Sequence, residues 1–111
     1  MSEVKKLKFY AGGQWIESKT EKYMDVFNPS TGEVIAKAPC CTEEEVNMAV
    51  KAASEAFPEW SQTPVMKRAQ VLYKFRDLIE EHMDELTEMV ARENGKVWEE
   101  AKGDILNIKE P

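Results

Sequence analysis

The chain has 111 residues, of which 42% are hydrophobic and 32% charged, and its formal net charge is −6. This balance is typical of a globular domain, and the negative charge argues against general binding to nucleic-acid phosphates. No apolar run approaches the roughly 20 residues that span a bilayer, and no apolar core follows the lysines near the amino terminus. We therefore predict no membrane segment, no signal peptide and a cytoplasmic location.

The first part of the chain, residues 1–40, is predicted to be a β arm. Residues 6–17 have the pattern of a hairpin, because apolar and polar side chains alternate around Gly12-Gly13, a pair suited to a tight turn with positive φ. A second pair of strands, at 23–27 and 33–38, surrounds a segment whose composition is typical of a turn, Asn28-Pro29-Ser30-Thr31-Gly32.

A helix is predicted over residues 42–58. Thr42 and Glu45 have the spacing of a capping box, in which each side chain accepts a hydrogen bond from the other residue's backbone N–H. Pro58 is expected to end this helix and to leave Trp60 in the connection that follows. Apolar residues recur at helical spacing on one face: Val46, Ala49, Val50, Ala53 and Phe57.

A long helix is predicted over residues 63–94, with Thr63 as N-cap, Pro64 at the first helical position and Gly95 as a left-handed C-cap. One apolar stripe runs along it: Val65, Ala69, Leu72, Phe75, Ile79, Met83, Leu86 and Val90. Residues 64–93 as one helix would be roughly 45 Å long, whereas a compact globule of this chain length is roughly 34 Å across. The chain is therefore expected to be unfinished, with an apolar helix face that lacks its partner.

A third helix is predicted over residues 96–110, with Val97, Ala101, Ile105 and Ile108 on one side. The sequence thus predicts an α+β chain, in which a β hairpin arm precedes two to three amphipathic helices. The exposed helix face is expected to cause self-association or to require a second chain.

Residues capable of chemistry are few. Cys40 and Cys41 are adjacent and lack metal-ligand spacing, so we interpret them as free thiols, with a reactive or redox pair as the alternative. His82 and the helical carboxylates are interpreted as solvated side chains rather than as acid–base groups. Gly12-Gly13 and Gly95-Lys96 do not fit a dinucleotide fingerprint or a P-loop. No catalytic, cofactor-binding or metal-binding residue is assigned.

The order and spacing of several motifs resemble the amino-terminal region of the aldehyde dehydrogenase superfamily. The matching runs are Phe9-Tyr10-Ala11-Gly12-Gly13-Gln14-Trp15, residues 26–35, residues 49–60, residues 68–72, Glu93-Asn94-Gly95-Lys96, Glu100-Ala101 and Gly103-Asp104. Residues 56–60 followed by Thr63-Pro64-Val65 most resemble the CoA-acylating methylmalonate-semialdehyde dehydrogenases. That subfamily typically carries an arginine after the Gly-Asp pair, where this chain has Asn107.

The resemblance implies that residues 1–111 are the first part of an NAD(P)-binding domain, whose helices pack on a Rossmann-type sheet formed by later sequence. The parent enzyme would oxidise an aldehyde through a cysteine thiohemiacetal, transfer hydride to NAD or NADP and release the acyl group to water or CoA. It would be a homodimer or homotetramer. The family's catalytic and cofactor residues have no counterpart here, so this chain is expected to be inactive alone and to bind no cofactor.

The resemblance also bears on a minor site. Some relatives bind an alkali cation through backbone carbonyls and an acid at the positions that match Val26, Phe27 and Asp104. The remaining ligand would lie beyond Pro111, and no cation is expected here. Two alternatives to the enzyme segment remain: a truncated acidic interaction module that pairs with a full-length partner, and a thiol sensor based on Cys40-Cys41.

Overall fold

The computed structural model describes residues 4–109. Their secondary structure runs β1 Lys5–Lys6, β2 Phe9–Ala11, β3 Gln14–Ile16, β4 Tyr23–Phe27, β5 Val34–Pro39, α1 Glu43–Gln62, α2 Val65–Glu81, α3 Met83–Asn94 and α4 Trp98–Lys109. They divide into two compact units. The first, the arm unit, contains residues 4–27 and 34–62, and the second, the helical unit, contains residues 28–33 and 63–109.

The arm unit contains the predicted hairpin. β2 and β3 pair antiparallel, with Phe9 opposite Ile16, and the turn between them places Gly12 at φ 59° and Gly13 at φ 78°. Positive φ at both central residues is the geometry of a type I′ turn, which matches the twist of the two strands. The Gly-Gly pair therefore supplies the backbone conformation that the hairpin requires.

The arm unit also contains a three-stranded sheet in the order β1-β5-β4. β4 and β5 are antiparallel, as predicted, and their register places Asp25 opposite Lys37, whose side chains lie 3.4 Å apart. β1 pairs parallel with β5, and the Leu7 N–H continues the ladder to the Lys37 carbonyl at 2.8 Å. The sequence did not indicate this strand, because two consecutive lysines carry no alternating apolar pattern.

Helix α1 runs from Glu43 to Gln62, with Pro58 inside it. The prediction that Pro58 ends the helix, and that Trp60 lies in a connection, is therefore wrong. A proline inside a helix removes the hydrogen bond that its own N–H would have donated and crowds the carbonyl four residues earlier, at a cost of about 3 kcal/mol. The helix nevertheless continues for four residues after Pro58. The last turn continues with an added hydrogen bond from the Ser61 hydroxyl to the Pro58 carbonyl at 2.9 Å.

The single helix predicted over residues 63–94 is two helices, α2 and α3, separated at His82. His82 has φ −104° and ψ 21°, outside the helical region, although its N–H still bonds the Leu78 carbonyl at 3.0 Å. The predicted helix of 45 Å is therefore absent among the described residues, since 17 and 12 residues give helices of roughly 26 and 18 Å. The apolar stripe did not predict the break at His82, because its spacing continues through it.

Two helix boundaries also differ from prediction. Pro64, predicted at the first helical position, occupies the N-cap of α2 with an extended ψ of 143°. Its carbonyl accepts the first bonds of the helix, from the N–H groups of Lys67 and Arg68. α4 begins at Trp98 rather than at residue 96, so Val97 lies before it; the prediction for residue 110 falls outside the described residues.

Helices α3 and α4 are joined through Gly95, which has φ 69° and ψ 19° and donates its N–H to the Ala91 carbonyl. This is the predicted left-handed C-cap. The helical unit has a small core in which Ile79, Thr87, Ala101 and Ile105 are buried. Thr87 satisfies its hydroxyl within its own helix, at 2.7 Å from the Met83 carbonyl. The buried hydroxyl of Thr87 therefore has a hydrogen-bond acceptor.

Candidate functional site

Within the arm unit, the carboxylate of Glu45 connects the β arm to the start of α1. The capping box is confirmed: the Glu45 N–H donates to the Thr42 hydroxyl at 3.2 Å, and the Thr42 N–H donates to Glu45 Oε1 at 2.9 Å. Ser18 donates its hydroxyl to the same oxygen at 2.6 Å, and the Lys19 N–H donates to Oε2 at 3.0 Å. Sequence spacing predicted the local pair and gave no signal for the two contacts from the arm.

These donors favour the ionised carboxylate. The hydrogen bond from the Ser18 hydroxyl, followed by those from the Thr42 and Lys19 N–H groups, lowers the pKa of Glu45 from 4.5 to about 2. Because the folded-state pKa lies below the unfolded one, the stabilisation is fully present above about pH 4.5. It is lost as the pH falls through the folded value. Glu45 is thus a structural group, with no acid–base role at neutral pH.

Replacing Glu45 with glutamine tests this linkage. Urea midpoints measured at pH 7 and pH 3 should fall on acidification by more in the parent chain than in Glu45→Gln, because the variant has no carboxylate to protonate. Glu44→Gln, which changes the neighbouring exposed carboxylate of the same turn, is the matched control and should keep the parent's acid sensitivity. Equal acid sensitivity in Glu45→Gln and the parent chain would contradict the assignment.

Most apolar residues of α1 and α2 are exposed. α1 has no buried residue, and the predicted apolar face of α1 is open to solvent at Val46, Val50 and Phe57. On α2 only Ile79 is buried, while Val65, Val71, Leu72, Tyr73 and Phe75 are more than half exposed. Isolated exposed apolar residues are ordinary, but an amphipathic helix without apolar cover marks an interaction surface, and each unit has one such helix.

The helical unit has an apolar groove between α2 and α4, which we call the α2–α4 groove. Its volume is about 370 Å³, and it is lined by Leu72, Tyr73, Phe75, Arg76, Ile79, Ile108 and Lys109. One end carries an ion pair between Lys109 Nζ and a Glu80 carboxylate oxygen at 3.2 Å. The Nε of Arg68, also on α2, is buried without a hydrogen-bond partner among the described residues. A buried donor without an acceptor is unusual in a folded protein.

The residues considered for chemistry do not assemble into a reactive site. Cys40 and Cys41 are free and half-buried. His82 lies 3.0 Å from a Glu85 oxygen on an exposed surface. Lys96 Nζ donates to Asp104 at 2.6 Å, and this hydrogen bond and the attraction between the two charges raise the pKa of Lys96. Across residues 4–109, no three His, Cys, Asp or Glu side chains cluster closely enough to hold a metal ion.

Among the described residues, none of the four helices combines the length and apolar character needed to cross a bilayer.

The order of the elements, the motifs and the uncovered helices together describe a segment whose apolar helix faces lack a partner among the described residues. Residues 15–110 match the aldehyde dehydrogenase family, and the chain belongs to that family. The matched region is the amino-terminal region of these enzymes. The resemblance in the sequence motifs is thereby confirmed.

Individual relatives agree with this assignment. The chain is 52% identical over 102 residues to malonate-semialdehyde dehydrogenase 2 of Oceanobacillus iheyensis, covering 92% of this chain and 21% of the relative. Lactaldehyde dehydrogenase from Escherichia coli superposes with a TM-score of 0.91 at 30% identity, covering 95% and 22%. A structure described as methylmalonate-semialdehyde dehydrogenase from Sinorhizobium meliloti, complexed with NAD, gives 0.89 at 35%, covering 96% and 22%. The chain thus spans about a fifth of the length of these proteins.

Proposed function

We propose that this chain serves as the amino-terminal scaffold of an NAD(P)-dependent aldehyde dehydrogenase, in which it forms the first part of the NAD(P)-binding domain. The proposal rests on one observation: nearly the whole chain matches about a fifth of the length of proteins whose names give this activity. In this proposal the catalytic cysteine and the cofactor contacts come from the remaining sequence. The enzyme would be cytoplasmic and would form a homodimer or homotetramer.

The exposed surface supports a scaffold role. The α2–α4 groove and the uncovered face of α1 are the surfaces we assign to contact with the remaining sequence, including a Rossmann-type sheet. Covering such side chains gains roughly 25 cal/mol per Å² of apolar area. The comparisons give no support to the alternative of a truncated interaction module.

The proposal extends to the cofactor and the substrate of the whole enzyme. One similar structure contains NAD, which favours a nicotinamide dinucleotide as hydride acceptor. Relatives named malonate-semialdehyde dehydrogenase favour a short semialdehyde as substrate. CoA as acyl acceptor rests on the resemblance to the CoA-acylating subfamily. Asn107, in place of that subfamily's arginine, provides a neutral side chain where a carboxylated substrate would be paired with a charge.

A chimera tests the scaffold proposal. The matched segment of the Oceanobacillus iheyensis enzyme is replaced by this chain, and NAD reduction is measured with malonate semialdehyde. We expect activity within about tenfold of the intact relative, because the structural faces are preserved, whereas this chain alone should show none. A folded chimera without activity, or turnover by this chain alone, would contradict the proposal.

Two variants of the chimera test whether the exposed helix face is the contact surface. Leu72→Glu places a charge in the α2–α4 groove. It should abolish assembly of this segment with the remaining sequence of the chimera, because a buried unpaired carboxylate costs several kcal/mol. Lys74→Glu alters an exposed charged residue of the same helix outside the groove and should leave assembly intact. If Leu72→Glu assembled as well as Lys74→Glu, the groove would not be the contact surface.

A further inference from the structure

A second groove, in the arm unit, has a different character from the apolar helix faces. It has a volume of about 430 Å³ and is lined by Lys5, Lys6, Leu7, Lys8 and Trp15; we call it the lysine groove. Within the described part of the chain, none of these three lysines forms an ion pair. A positive cluster of this kind in a chain of net charge −6 attracts a compact anion.

The aromatic wall of the lysine groove is fixed in position. Trp15 is 70% exposed, yet its ring meets Tyr10 edge-on at 5.1 Å, across the hairpin whose register makes the two residues direct partners. Its orientation is therefore set before any ligand arrives, which lowers the ordering cost of stacking on it. Lys6 Nζ lies 4.9 Å from the centre of the Tyr23 ring, a contact that holds the ammonium without consuming its N–H donors.

We propose that the lysine groove binds a nucleoside di- or triphosphate, with the base stacked on Trp15 and the phosphates on the lysines. Lysine ammonium groups act as point charges for phosphate, and an exposed indole is a platform for any planar base. The groove volume of about 430 Å³ lies in the range of small-ligand sites. Protection of the β1 sheet edge would account for the lysines. It does not explain why a contact with Tyr10 orients the Trp15 indole beside these lysines.

The proposal is tested by titrating ATP into the purified chain carrying Trp60→Phe and Trp98→Phe, so that fluorescence reports Trp15 alone. We expect saturable quenching that weakens several-fold between 50 and 200 mM salt, as phosphate contacts require. Tripolyphosphate should compete more weakly than ATP, and adenosine should bind weakest. No quenching, or equal affinity for ATP and tripolyphosphate, would overturn the proposal.

Charge variants locate the site. Lys5→Gln combined with Lys8→Gln should raise the dissociation constant at least tenfold, whereas Lys51→Gln, a 77% exposed lysine side chain outside the groove, should change it less than twofold. Circular dichroism of each variant verifies that the fold is unchanged. An equal loss from Lys51→Gln would show a general charge effect and reject the site. The titration does not use the chimera, so its outcome is independent of the scaffold proposal.

Discussion

Replacing Ile105 with alanine is expected to lower the free energy of unfolding of the chain by about 2–4 kcal/mol. Ile105 lies on α4 with 4% of its surface exposed, in the small core shared with Ile79, Thr87 and Ala101. Removing its distal carbons loses their transfer free energy and leaves a cavity that the surrounding helices fill only in part. Urea denaturation followed by circular dichroism measures the loss.

Ile108 is the matched control for Ile105. It lies one turn further along α4 and is 56% exposed, so Ile108→Ala should cost less than about 1 kcal/mol in the chain alone. In the chimera the same substitution should cost more, because Ile108 lines the α2–α4 groove that we assign to the remaining sequence. Equal losses for Ile105→Ala and Ile108→Ala in the chain alone would contradict the assigned core.

Replacing Gly95 with alanine is expected to lower the free energy of unfolding by about 1–2 kcal/mol, the cost of placing a Cβ in the left-handed region. Its φ of 69° closes α3, and an added Cβ would lie 3.1 Å from Pro29 Cγ in the same unit. Pro29 would therefore have to move, which adds to the cost of the backbone strain. Chemical denaturation at neutral pH measures the effect.

The control for Gly95 is Gly103, which lies inside α4, where a Cβ would meet no heavy atom within 4 Å. Gly103→Ala should raise stability by about 0.5–1 kcal/mol, because alanine loses less backbone entropy in a helix. The two glycine-to-alanine substitutions thus have opposite expected signs. A gain in stability from Gly95→Ala would mean that the left-handed cap is not formed in solution.

Local signals in the sequence predicted local structure well. Gly12-Gly13, the Thr42 and Glu45 spacing and Gly95 each act over a few residues, and the structure has the turn, the capping box and the left-handed cap at those places. Such features depend on backbone sterics and hydrogen bonds within one turn, which the sequence contains in full. The hairpin turn, the capping box and the left-handed cap could therefore be predicted without knowledge of the tertiary structure.

Features set by distant contacts could not be predicted in this way. The hydrogen bond from Ser18 to Glu45 joins residues 27 apart, and nothing in the spacing of either residue indicates the other. The break at His82 interrupts neither the apolar period nor the run of helix-forming residues, and no proline or glycine marks it. Pro58 led to an error in the opposite direction, because the lost hydrogen bond and the steric clash of an interior proline destabilise a helix without always ending it.

The functional prediction had a different basis from the fold prediction. Residue chemistry alone indicated no reactive site, and the family followed from the order of motifs such as Asn28-Pro29-Ser30-Thr31-Gly32 and Glu93-Asn94-Gly95-Lys96. The apolar stripes predicted that something must cover the helices, and the structure leaves much of those stripes exposed. The α2–α4 groove was not predicted, since it combines side chains from two helices whose pairing a periodicity cannot specify.

The short connection between α3 and α4 has a consequence for the order of folding. Only residues 95–97 separate the two helices, so the contacts between them close a small loop at low entropic cost. Helices paired through such local contacts fold in roughly microseconds to milliseconds. In the proposed enzyme, synthesis of the remaining four fifths takes on the order of tens of seconds. The helical hairpin can therefore pair on the ribosome before the remaining sequence covers its apolar faces. At this stage aggregation competes with folding.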